Sequence, residues 1–240
     1  MGGCRLLVDA GISTRRMEKS LAAVGVNIAS LDGVLITHEH QDHIKGLDVL
    51  VRKYKLPVYT RPATWQRLPC RTRFPGECCR DLGEELNIGR LKVEVFSTSH
   101  DAADPVGFAF HYKDQKCVVA TDLGVATPAV RKALAYADLV VLEANHDIDM
   151  LKQGPYPQFL KQRISGVKGH LSNHEAAGLL ASVERREVMQ VFLAHLSRQN
   201  NNPRLAHDTV SSILQRHGCE TGREIILHHT YPDCTASLCV

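Results

Sequence analysis

Apolar and polar positions follow two rhythms along the chain. Short β-rich runs recur as "RLLVDAG", "GVLIT", "LPVYT", "LKVEVFSTS", "VGFAFHY", "KCVVATD", "ADLVVLEAN", "VMQVFLAH" and "EIILHH", and each predicts a strand. Between them lie segments with helical spacing. Ser13 or Thr14 opens a helix through "RRMEKSLAAVG" that Gly25 closes, and "IKGLDVLVRKY" predicts a second. Thr127-Pro128 and Asn202-Pro203 start two more, with proline in the first turn. "SNHE", Ser172 to Glu175, has the spacing of a capping box and starts another. Residues 147–168, broken by Gly-Pro-Tyr-Pro, read as irregular, and the closing "TYPDCTASLCV" is left unassigned. Strands alternating with helices predict an α/β protein.

One regularity links pattern to chemistry. Asp9, His38, His100, Asp122, Glu143 and His195 all stand at or just past the C-terminal end of a predicted strand. Strand ends of that kind converge along one rim of a sheet, so residues distant in sequence can share a site.

Bulk composition narrows the classes without choosing among them. The 240 residues are 44% hydrophobic, enough for a substantial core and against disorder. A formal net charge of +3 neither demands nor excludes a nucleic-acid partner. No run approaches the roughly 18 apolar residues of a membrane span, and neither terminus carries a lipidation signal. Eight cysteines, two of them adjacent at Cys78 and Cys79, with no apolar signal region ahead of the first strand, read as reduced thiols of a cytoplasmic protein. Oligomeric state is left open.

"THEHQDH" holds the strongest chemistry. His38, His40, Asp42 and His43 form an H-x-H-x-D-H pattern that suits neither a strand face nor a helix face, and it makes sense as a turn around a cation. Imidazole nitrogens and a carboxylate without cysteine suit zinc, manganese or iron. Glu39 is read as exposed or structural.

This motif resembles the second motif of the metallo-β-lactamase fold superfamily, and the other motifs follow in order: Asp9 in "LLVDAG", His100 in "STSHD", Asp122 in "ATDLG" and His195 in "LAHLS". The resemblance implies one domain over residues 1–240 with a four-layer αββα sandwich. It also implies two divalent metal ions, zinc first, with manganese or iron as alternatives. His38, His40 and His100 would hold one ion, Asp42, His43 and His195 the other, and Asp122 would bridge them. Asp9 would orient His38 or His40 from behind. Iron-based oxidoreductase relatives are disfavoured, because they carry Glu where His40 stands.

Within the superfamily, "VKGHLSNHEAAGLL" resembles the histidine-bearing segment of its phosphodiesterases and tRNA 3′-processing nucleases. Long stretches, among them "THEHQDHIKGL", "SHDAADPVGF", "LEANHD", "GPYPQFLKQRI" and "LAHLSRQNNNP", are similar to the YycJ/WalJ-type hydrolases, a 5′-to-3′ exonuclease-like group. Members of that group usually begin with extra strands before the first motif, whereas this sequence reaches "RLLVDAG" almost at once.

The expected activity is therefore a phosphodiesterase or exonuclease acting on DNA through a metal-bridging hydroxide. Asp42 and His170 are the candidate catalytic residues, His170 protonating the leaving alkoxide, which a poor leaving group needs. Asn145, His146, Tyr156 and Ser172 are candidate substrate contacts, with Lys152, Lys161, Arg163 and Lys168 around the tyrosine. The alternative is a thioesterase or lactonase on the same centre. Arg61, Arg67, Arg71, Arg73 and Arg80, interspersed with Trp65 and Phe74, read as a charged surface loop with phosphate docking as the sharper option.

Overall fold

The computed structural model describes residues 3–239. The described residues divide into two compact units, one built from residues 3–95 and 102–106, the other from residues 96–101 and 107–239.

In the first unit, β1 (Leu6–Val8) leads to α1 (Thr14–Ala23), then β2 (Gly33–Leu35), α2 (Gln41–Ile44), α3 (Leu47–Tyr54), β3 (Val58–Thr60), α4 (Pro62–Arg67) and β4 (Cys79–Asp81). The four strands form a sheet in the order β1-β2-β3-β4, parallel throughout. β2 is buried along its length, as an unbroken apolar run requires. β5 (Glu85–Ile88) and β6 (Leu91–Ser97) follow as an antiparallel hairpin with Asn87 facing Lys92. Met17, Val34, Ile36, Leu47, Leu50, Val58 and Trp65 are among the residues of this unit's own core.

The second unit holds β7 (Val106–Tyr112), β8 (Gln115–Ala120), α5 (Pro128–Leu134), β9 (Leu139–Glu143), α6 (Ile148–Gln153) and α7 (Gln158–Ile164). α8 (Asn173–Ser182), β10 (Met189–Ala194), α9 (Pro203–Arg216) and β11 (Ile225–His228) complete it. The strands run β11-β10-β9-β8-β7, parallel from β8 to β11, with β7 antiparallel to β8. Its core gathers Val118, Val140, Leu142 and Val191 with Leu179, Leu180, Val210 and Leu214 of α8 and α9. The predicted caps form: Thr127 accepts from the Val130 N–H, Asn202 from the Leu205 N–H, and Ser172 with Glu175 makes the full capping box.

The structure departs from the sequence reading in four places. The helix expected through "IKGLDVLVRKY" is two helices, α2 and α3, because Gly46 sits against backbone: a Cβ there would lie 2.1 Å from the Ile12 carbonyl oxygen, and its N–H donates to Ala10 O at 2.8 Å. Residues 147–168 are not irregular but carry α6 and α7, separated by the Gly-Pro-Tyr-Pro turn. β4, β5 and α4 had no expected counterpart. Trp65 and Phe74 are buried core rings rather than surface aromatics, with the Trp65 indole N–H donating to Arg80 O, and Arg61 is paired to Glu84 at 2.7 Å.

Candidate metal centre

In the first unit the H-x-H-x-D-H motif is half turn and half helix. His38 and His40 lie on extended chain after β2, His40 is the N-cap of α2, and Asp42 and His43 occupy that helix. The rings cluster tightly, with His38 centred 4.6 Å from His40 and 4.2 Å from His43. Asp9, just past β1, holds this turn from behind. Its carboxylate accepts the Thr37 N–H and hydroxyl, each at 2.8 Å, and the His43 Nδ1–H at 2.7 Å. The partner of Asp9 is therefore His43, not His38 or His40. It reaches His38 through one intermediary: the Thr37 hydroxyl, donating to Asp9, accepts from His38 Nδ1 at 3.0 Å. Asp42 is largely exposed, with its carboxylate 3.7 Å from His43 Nε2. Glu39 is structural, accepting the Ala103 N–H at 2.9 Å.

In the second unit four strand-end positions converge. His100 donates its Nδ1–H to Gly169 O at 3.1 Å. Glu143, wholly buried at the end of β9, accepts from Nδ1 of both His170 and His195 at 2.8 Å through one oxygen. Its other oxygen takes the Leu123 and Leu171 backbone N–H groups. Burial alone would raise this carboxyl, but the hydrogen bonds and charges of His170 and His195 hold it down at about 2. Glu143 thus fixes two rings at once. Strand-end position marked it in the sequence, yet its partners lie 27 and 52 residues downstream and gave no local signal.

Asp122 is buried beside the same rings. Its Oδ1 lies 3.5 Å from His100 Nε2 and 3.7 Å from His195 Nε2. Those separations exceed a hydrogen bond. They suit two ligand atoms each about 2.0–2.1 Å from one tetrahedral ion, which stand roughly 3.3 Å apart. Ligand atoms of Asp122, Glu143, His170 and His195 all fall within 4.8 Å of one another. Burial pushes the His100 ring toward its neutral, metal-binding form, partly offset by Asp122.

The donor sets therefore fit a divalent cation. His38, His43, His100 and His195 each commit Nδ1–H to a fixed acceptor, namely Thr37, Asp9, Gly169 O and Glu143. With Nδ1 protonated, Nε2 keeps its lone pair, which is the tautomer a metal-binding histidine needs. Asp9, Asp122 and His195 also share a left-handed backbone, with φ of 59°, 58° and 55°, each just beyond a strand end.

The candidate substrate contacts divide. Asn145 is buried and donates its amide to His195 O at 2.9 Å, so it braces that turn. Ser172 is spent on the capping box, its hydroxyl donating to Glu175 and accepting the Glu175 N–H. His146 lines a cleft beside α8, and Tyr156 is half-buried in the turn between α6 and α7. Arg163 pairs with Asp101 at 2.6 Å. All eight cysteines are free thiols, and among the described residues no helix is long and apolar enough to cross a membrane.

Comparison with known proteins agrees with this architecture. Residues 4–196 match the profile of the β-lactamase superfamily domain. The chain is 39% identical over 235 residues to the exodeoxyribonuclease YycJ of Bacillus anthracis, covering 95% of this chain and 88% of that protein. It is 35% identical over 240 residues to the exodeoxyribonuclease WalJ of Streptococcus pneumoniae, covering 98% and 89%. Among solved structures, the metallo-β-lactamase fold protein YhfI of Bacillus subtilis superposes with a TM-score of 0.69 at 18% identity, over 95% of this chain and 86% of that one. Matches over nearly the full length, with the motif residues on strand ends, settle the family: the chain has the metallo-β-lactamase fold and belongs to the β-lactamase superfamily, in the group that contains YycJ and WalJ.

Proposed function

We propose that the chain is a single domain over residues 1–240 that hydrolyses phosphodiester bonds of DNA from an end, in the cytoplasm, using two divalent metal ions, zinc first. His38, His40 and His100 would hold one ion, Asp42, His43 and His195 the other, with Asp122 shared. The observation that carries this is the uniform commitment of Nδ1–H at His38, His43, His100 and His195, which leaves each Nε2 as a donor of electrons. The exodeoxyribonuclease names of the YycJ and WalJ relatives point the substrate to DNA, and the eight unpaired thiols suit a reducing compartment.

When bound, the pair of ions supplies a nucleophile competent near neutral pH and neutralises charge developing on the phosphate. His170 supplies what they do not. Its Nδ1–H is anchored on Glu143, which fixes the ring and leaves Nε2 as the atom that would pass a proton to the leaving alkoxide. This pairing favours a phosphodiester over the thioester or lactone alternative, since a thiolate departs without a proton donor. Asn145 acts at one remove, holding the His195 carbonyl.

End-labelled single- and double-stranded oligonucleotides, digested with zinc or manganese present, test the proposal. His170→Ala should lower kcat by about 10²–10⁴ while two metals per chain are retained. Absence of DNA cleavage by the metal-loaded wild type, or full activity in His170→Ala, overturns it.

A further inference from the structure

The cleft lined by α6, α7 and the start of α8 takes no part in the chemistry described above. Its volume is about 430 Å³, within the roughly 300–1,000 Å³ range of sites that hold small organic ligands. Ile148 and Leu151 give it an apolar wall, and Lys152, Lys161, Gln158 and Gln162 line it from α6 and α7. The Lys161 ammonium is tethered there by donating to Lys152 O at 2.6 Å. The single carboxylate of the lining, Glu175, is already engaged by the Ser172 N–H and hydroxyl. Two ammonium groups against one satisfied carboxylate favour an anion.

His146 also lines the cleft. It is only 2% exposed, and its Nδ1 is buried with no hydrogen-bond partner among the described residues. That nitrogen lies behind the cleft surface, so His146 shapes the wall and leaves the polar contacts to the lysines and glutamines. Burial keeps this ring neutral against the pull of Glu175 and Glu143, so one nitrogen stays an acceptor.

We propose that this cleft holds one nucleotide of the DNA strand, its phosphate on Lys152 and Lys161 and its base against Ile148 and Leu151, with Gln158 and Gln162 meeting the base edge. The proposal deepens the nuclease reading and rests on it for the identity of the strand. The backbone supplies the link. The cleft's Ser172 is two residues from His170, and His146 follows Asn145, which braces His195. His146 and Ser172 of the lining are thus chain neighbours of the residues that carry and brace the proposed chemistry. A base wall and a cationic rim together account for a nucleotide better than for a bare phosphate, which would leave Ile148 and Leu151 without purpose.

Binding is measurable without metal. Deoxyadenosine monophosphate, titrated into the full chain in EDTA and followed by calorimetry, should saturate and should bind at least about tenfold more tightly than inorganic phosphate. Lys152→Ala and Gln162→Leu, at exposed positions that leave the core intact, should each weaken that binding and the affinity for a single-stranded oligonucleotide by about fivefold or more. Equal affinity for inorganic phosphate, or binding that both substitutions leave unchanged, overturns the cleft assignment. Nuclease activity is scored separately on the metal-loaded wild type. Saturable nucleotide binding by a chain that cleaves no DNA would sink the nuclease reading and leave the cleft standing as a nucleotide site, whereas active enzyme without nucleotide binding would do the reverse.

Discussion

Three residues of the motifs, Asp9, Asp122 and His195, adopt a backbone conformation that costs an L-residue roughly 1–2 kcal/mol and glycine nothing. Comparing His195→Gly with His195→Ala isolates that cost, since both lose the same ring and the same bond to Glu143. The glycine variant should be more stable by about 1 kcal/mol or slightly less, after the entropy of the freer unfolded chain is subtracted; equilibrium urea unfolding of the metal-free proteins reads it. The positions of these residues were legible, because a charged residue closing an apolar run marks a strand end. Their geometry was not. Nothing local in "VVLEANHD" says that Glu143 will accept from two rings, and nothing in "LLVDAG" says that Asp9 will choose His43 over His38. Those choices depend on packing between segments that no window of sequence contains.

At the scale of elements, long and strongly patterned segments were readable and short ones were not. α9, with fourteen residues and an Asn-Pro start, emerges where expected. α7 buries no residue, so no apolar stripe announced it, and the proline pair before it pointed to a loop. The break between α2 and α3 is invisible because Ile44, Leu47, Leu50 and Val51 keep a continuous helical spacing across it. Glycine at close backbone approaches decides such places. Gly11 is the sharpest case in the first unit, since a Cβ there would stand 1.6 Å from the Asp42 carbonyl oxygen. Gly11→Ala must displace backbone in the turn that carries Asp42 and His43. It should cost about 3 kcal/mol or more and lower the bound metal per chain, read by denaturant titration and elemental analysis.

For the molecule as a whole, the sequence carried family and fold because ordered motifs on strand ends constrain topology far more than composition does. The charge balance of +3 said nothing decisive. One feature of the second unit reaches into how the protein is made. The cluster around Glu143 draws on Asp122, His170 and His195, and the last of these is delivered by β10, whose place beside β9 is set by parallel pairing after a long excursion. Parallel pairing of that kind is slow and late. On the proposed ligand set, a nascent polypeptide still short of residue 195 lacks one ligand, and ion loading is expected to follow folding. Zinc should accordingly leave the refolding rate nearly unchanged and slow unfolding severalfold, a division that stopped-flow mixing with and without chelator resolves. If zinc instead accelerated refolding, the ligands would have to meet before the sheet does. Otherwise, newly synthesised chains pass through an apo state whose lifetime is governed by cellular metal supply.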